Sequence, residues 1–249
     1  RVLFRSLHSN YLSQLTGVEV LLKAENLQRT GAYKLRGAYH RMSKLTAAER
    51  KKGVVAASAG NHAQGVALAA KKLGIKATIF MPFGASLPKF DATKNYGADV
   101  VLSGAVFAET LHAAQEYAAK KGAIFIPPYD NVDVILGQGT VGLEILDQVP
   151  DVKNVIVAIG GGGLAAGVAT YLKAALGKGV GPLVVARSQV SLAEAVRDAG
   201  RLADREVGVI GFLVERGFFV IIIFQDRSLR FEKGDEFANF LGAHFPAHQ

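Results

Sequence analysis

The sequence has no cysteine, which excludes disulfides and thiolate metal sites outright. Histidine is sparse, and His8, His40, His62, His112, His244 and His248 nowhere show the HExxH spacing of a helical zinc site. His244 and His248 lie four apart, but in a proline-containing stretch, so no metal site is assigned. Long apolar runs are also missing. The longest, Phe218 to Phe224, is far too short to cross a bilayer as a helix, and no membrane partner is expected. No signal-peptide pattern follows Arg1, which points to a fragment or processed chain of a cytoplasmic protein.

What is present is ordinary for a globular protein. Half of the 249 residues are apolar, enough for a sizeable core and for one or two domains. The net charge is +8, but lysine and arginine are spread along the chain without an aromatic-interleaved basic stripe. That distribution argues against nucleic acid and for a solvated surface that attracts small anions.

Short apolar runs alternate with helical periodicity. Strands are expected at 18–22, 54–57, 77–81, 99–102, 123–126, 154–159 and 183–186, several of them continuous Val/Ile/Leu runs typical of parallel strands covered on both faces. Leu35, Ala38, Tyr39, Met42 and Leu45 form one apolar helical stripe. Residues 62–73 and 164–175 read as small-residue helices, and 109–121 as a helix stopped by Gly122. The alternation predicts an α/β fold, with Pro127 and Pro128 as the best break in the middle. Beyond about Gly200 the rhythm fails, and "GVIGFLVERGFFVIIIFQDRS" reads as two adjacent strands.

Three segments can carry chemistry. Strand 154–159 runs into Gly160, Gly161, Gly162 and Gly163, with a helix opening at Leu164. Glycines there let backbone N–H groups converge on an anion, and the helix N-terminus adds partial positive charge, so a phosphate is the natural occupant. Gly161, Gly163 and Ala166 also fit a relaxed dinucleotide pattern, with Arg187 where an NAD site would want an acid, which leaves an NADP-type oxidoreductase as an alternative. The loop "SAGNHAQG" follows strand 54–57, with Asn61 as the expected helix cap. It lies at the carboxyl end of a presumed parallel strand, where open α/β sheets bind ligands. Lys34 is expected in the first turn of the helix over 35–45, where the helix dipole and partial burial both lower an amine's pKa. Such a lysine is a competent Schiff-base amine, although spacing alone does not single it out.

Taken together, "KAENLQRTGAYKLRGAY", "SAGNHAQGVALAA", "GQGTVGLEI" and "IGGGGLAAG" resemble the threonine dehydratase (threonine ammonia-lyase) family, pyridoxal-phosphate enzymes of fold type II related to serine racemase. The resemblance runs from about Arg1 to Leu176. It implies two open α/β domains with mainly parallel sheets: a larger one from 1–46 with 132–249, and a smaller one over 47–131. It implies pyridoxal 5'-phosphate as cofactor and a homo-oligomer, dimer or tetramer.

By this resemblance Lys34 is the Schiff-base lysine and Tyr33 the aromatic beside it. Asn61 bonds the cofactor's ring hydroxyl, and Gly160, Gly161, Gly162, Gly163 and Leu164 cradle its phosphate. Ser58, Ala59, Gly60, Asn61 and His62 grip the carboxylate of an amino-acid substrate. Serine racemases resemble this loop but carry serine in place of Ala59, so dehydration of L-threonine or L-serine to a 2-oxo acid and ammonia is expected over racemisation. The sequence departs from the family after about Arg201. It lacks the second glycine-rich segment whose nearby Ser or Thr bonds the pyridine nitrogen, and Ser228 is the only serine left there. A truncated or divergent C-terminal part makes a catalytically impaired remnant the remaining alternative.

Overall fold

The computed structural model describes residues 5–16, 19–152, 154–176, 183–187 and 220–224. The chain forms two compact units, one of residues 1–28 with 139–249 and one of residues 29–138.

The second unit is a parallel α/β layer. Helix α2 (Lys34–Ser43) and the short α3 (Ala47–Lys52) lead into strand β3 (Val54–Ala57). Then follow α4 (Asn61–Leu73), β4 (Ala77–Met81), α5 (Leu87–Asn95), β5 (Asp99–Leu102), α6 (Phe107–Lys121) and β6 (Ile124–Phe125). The sheet order is β5-β4-β3-β6, all parallel. The middle strand β3 is buried along its whole length, which explains its continuous apolar sequence. Val54 and Ala56 face a core with Met42, Val66 and Ile79, while Val55 and Ala57 pack with Phe80, Ala114 and Ala118 on the other side. Because the chain steps from β3 outward to β4 and β5 and then returns to β6 on the other flank, the strand order reverses at β3–β6. In open α/β sheets the carboxyl ends at such a reversal form the ligand crevice.

The first unit holds a five-stranded mixed sheet in the order β1-β2-β9-β7-β8, where β1 is Ser6–His8, β2 Val20–Ala24, β7 Asn154–Ile159, β8 Leu183–Arg187 and β9 Val220–Phe224. Pairing of β7 with β8 is parallel, as the continuous apolar runs predict. β9 pairs antiparallel with both β2 and β7, and β1 antiparallel with β2. Helix α1 (Asn10–Thr16) and helix α8 (Gly163–Leu176) complete the described part.

Strand β2 begins two residues later than its apolar run suggests and includes Lys23, whose side chain is fully buried and paired with Glu144 at 2.7 Å. A lysine at a core position is unreadable from a period-two pattern without its partner. Helix α7 (Val132–Gln148) was also illegible, because three interior glycines argue against a helix. They are required by packing: a Cβ on Gly137 would lie 2.6 Å from the Cα of Gly37, and one on Gly139 would lie 2.9 Å from the Gly167 carbonyl. Only β9 of the two strands expected near the C-terminus falls among the described residues, and Ser228 and the divergent tail lie outside them.

Candidate active site

Lys34 opens α2, directly after the left-handed Gly31 (φ 68°) and the buried Ala32 and Tyr33. The entry of α2 is close to α4: a Cβ on Gly65 would lie 3.0 Å from the Leu35 nitrogen and the Lys34 carbonyl carbon. Gly65 thereby lets the first turn of α2 sit against α4, one turn beyond His62.

The Lys34 side chain is partly buried and donates from Nζ to the backbone carbonyl of Pro128 at 2.7 Å. Its Nζ lies 5.3 Å from the Tyr33 ring centre and 5.9 Å from that of Tyr129. Among the described residues no carboxylate pairs with it. Burial without a counter-ion lowers the Lys34 pKa to about 8, so a useful fraction of the amine is uncharged near neutral pH. The Tyr33 phenol is buried and is pushed up, which keeps it protonated.

The loop after β3 occupies the same carboxyl edge. Ser58 continues the sheet by donating its N–H to Phe80, and its Oγ accepts from the Gly60 N–H at 3.1 Å. Gly60, rather than Asn61, is the cap residue; Asn61 is the first residue of α4. Ser58, Ala59, Gly60 and Asn61 are all partly exposed, as a ligand-gripping loop must be. His62 differs. Its ring is buried, and Nε2 is hydrogen-bonded to the Ile126 carbonyl at 2.9 Å. Desolvation, opposed by that bond and reinforced by the Lys34 charge, lowers its pKa to about 4. The side chain faces inward, so any grip on a substrate at this position comes from its backbone.

In the other unit, β7 leads into the four-glycine turn and α8. Gly160 and Gly161 are exposed, and Gly162 takes a left-handed φ of 84° with open space where a Cβ would stand. The Gly162 carbonyl accepts the first helical bond from Ala166, so the N–H groups of Gly163, Leu164 and Ala165 precede the ladder of α8 and are available to an anion.

Each unit by itself offers groups of a kind that fits pyridoxal phosphate: in one, an amine of depressed pKa near two aromatic rings suits an aldehyde, and in the other a bare glycine turn at a helix start suits a phosphate. Sequence reasoning missed Pro128, Tyr129 and Gly65. Two of the three act through backbone or absence of a side chain, and "IPPYDN" signals only a break.

A family model described as pyridoxal-phosphate dependent enzyme matches residues 6–209. The chain belongs to this family. Its cofactor class is therefore that of the family, and the Gly161–Ala166 pattern is accounted for without a dinucleotide. The chain is 54% identical over 166 residues to an L-threonine ammonia-lyase of Thermotoga maritima, a match covering 67% of this chain and 41% of that protein. It is 54% identical over 165 residues to a catabolic L-threonine dehydratase of Escherichia coli, covering 66% and 50%. Among solved structures, the processed form of threonine deaminase isoform 2 from Solanum lycopersicum matches with a TM-score of 0.71 and 40% identity, over 82% of this chain and 54% of that one. Maize serine racemase matches with a TM-score of 0.71 and 34% identity, over 82% and 60%. These neighbours establish the type II pyridoxal-phosphate fold. The chain spans about half the length of the curated relatives it matches or less. Among the described residues, no helix is long and apolar enough to cross a membrane.

Proposed function

We propose that this chain is the cofactor- and substrate-binding part of a hydroxy-amino-acid dehydratase that converts L-threonine or L-serine to a 2-oxo acid and ammonia. The observation that carries the reading is the Lys34 amine: partly buried, paired with no carboxylate among the described residues, and lowered to about 8 at the strand-order reversal. Lys34 would hold the aldehyde carbon of pyridoxal phosphate, Gly160 to Leu164 its phosphate, Asn61 its ring hydroxyl, and Tyr33 would lie beside it. When bound, that group supplies an electron sink for the charge left when an α-proton departs.

The residues of the chain do the rest. Lys34, uncharged in part at neutral pH, accepts a proton at Nζ. Backbone N–H groups of the Ser58–His62 loop orient a carboxylate. The Ala59 methyl cannot deliver a proton, so this position offers no acid for the opposite face, which supports dehydration over racemisation. The compact division at 28/29 and 138/139 differs from the family-based division into 1–46 with 132–249 and 47–131, which we retain as a proposed functional division. A homo-oligomer, dimer or tetramer, and a cytoplasmic setting belong to the same proposal.

The test is direct. Purified chain mixed with pyridoxal phosphate develops visible absorption, and borohydride fixes the group on Lys34, as peptide mass spectrometry reads; L-threonine then releases 2-oxobutanoate. Absorption without fixation on Lys34 overturns the assignment of the amine. Fixation without product limits this chain to binding.

A further inference from the structure

Between β6 and α7 the backbone must carry a carbonyl to the Lys34 amine, yet sheet pairing cannot hold it there. The last sheet bond on this strand is from the Ile126 N–H to the Val55 carbonyl at 2.8 Å. Pro127 and Pro128 follow, neither with an N–H to donate, so no ladder continues. The next backbone tie is at Tyr129, whose carbonyl accepts from the Asn131 N–H at 3.1 Å. Between these points stands the His62 bond to the Ile126 carbonyl, made from α4 in the core. Two residues on, the Pro128 carbonyl receives the Lys34 Nζ.

We infer that His62 is a positioning residue for Lys34, acting through the backbone of Ile126–Pro128; this rests on the role proposed for Lys34. A carbonyl only accepts, so the imidazole carries its proton on Nε2, a tautomer assigned from the partner. Burial keeps the ring neutral at working pH, so the Ile126 carbonyl, and not a charge, holds it in place. Gly65 supports the arrangement independently, since its missing side chain lets the first turn of α2 lie against α4 beside His62. The ring thus fixes one end of a short, stiff, proline-rich segment whose other end meets the amine. His62 is removed from the substrate loop as a side chain and assigned to the lysine instead.

The test compares His62→Met, which keeps bulk but cannot donate, with His62→Gln, whose amide can donate to the same carbonyl. Two readouts are taken: the rate at which pyridoxal phosphate and borohydride trap Lys34, and the NMR shift of the Lys34 ε-carbon in the unloaded chain. Loss of a buried hydrogen bond predicts roughly tenfold slower trapping in His62→Met and a displaced Lys34 signal. His62→Gln stays within about threefold of the parent, with the signal in place. Melting curves check that each variant folds. If His62→Met matches the parent in both readouts, or folded His62→Gln is as impaired as His62→Met, the inference is overturned. A parent chain that never traps the aldehyde sinks the cofactor reading alone, because the NMR comparison still judges His62. Should His62→Met not fold, Pro128→Gly keeps the histidine and loosens the carbonyl; an unmoved Lys34 signal there overturns the inference.

Discussion

Two buried lysines in the two units solve the same desolvation problem in opposite ways. Lys23, fully buried on β2, meets the Glu144 carboxylate at 2.7 Å and Gln148 Oε1 at 3.3 Å. Gln148 also accepts from both the backbone N–H and the hydroxyl of Ser6, so the pair belongs to a network that ties β1, β2 and α7. Lys34 is given a backbone carbonyl and two aromatic rings, and no carboxylate among the described residues. The contacts of Lys23 serve the fold, joining strand to helix. An amine offered only dipoles is biased toward its neutral form, and that is the form that attacks an aldehyde.

The comparison can be broken or sharpened in four ways. The largest effect is expected for Lys34→Met, which should lower 2-oxobutanoate release by at least about a thousandfold while circular dichroism stays unchanged. Retained activity would remove Lys34 from the reaction. Next, Lys23→Met strands the Glu144 carboxylate in the core and should cost about 3–5 kcal/mol in denaturant unfolding. The double variant Lys23→Met, Glu144→Leu should recover most of that, because an apolar pair has no uncompensated charge. If the single and double variants melt alike, the pair is not the strut described.

The third prediction concerns acid. His62 has a folded pKa of about 4 against an ordinary value near 6.5. Between those values the unfolded chain binds more protons, so stability present above pH 6.5 is lost as pH falls toward 4, by roughly 3 kcal/mol in all. The His62→Met variant should lack this part of the acid limb. The smallest effect is on labelling of Lys34 by acetic anhydride in the unloaded chain. The rate should fall about tenfold per pH unit below 8 and level off above it, whereas an ordinary lysine keeps gaining to beyond pH 10. A plateau above pH 10 would show that burial does not depress Lys34 as described.

Much of the second unit was legible because β3 and β4 are buried almost throughout and announce themselves as short apolar runs; β5 is largely exposed, yet its Val-Val-Leu run still marked the bounds found. The glycine turn and the Ser58–His62 loop were readable because backbone N–H convergence needs small residues at a strand end. What stayed hidden had physical reasons. Lys23 and Glu144 are 121 positions apart in sequence and look like surface charges until paired. The glycines of α7 look like helix breakers until Gly37 and Gly167 are seen against them.

The order and chemistry of the motifs were set by sequence alone, because glycine turns, an exposed loop at a strand end and an amine at a helix start are local properties. Tertiary structure alone decided which way His62 faces, which carbonyl receives Lys34, and that no carboxylate among the described residues reaches it. Those are consequences of what packs beside a side chain, and a proton's affinity for nitrogen is governed by that surrounding matter rather than by the neighbours along the chain.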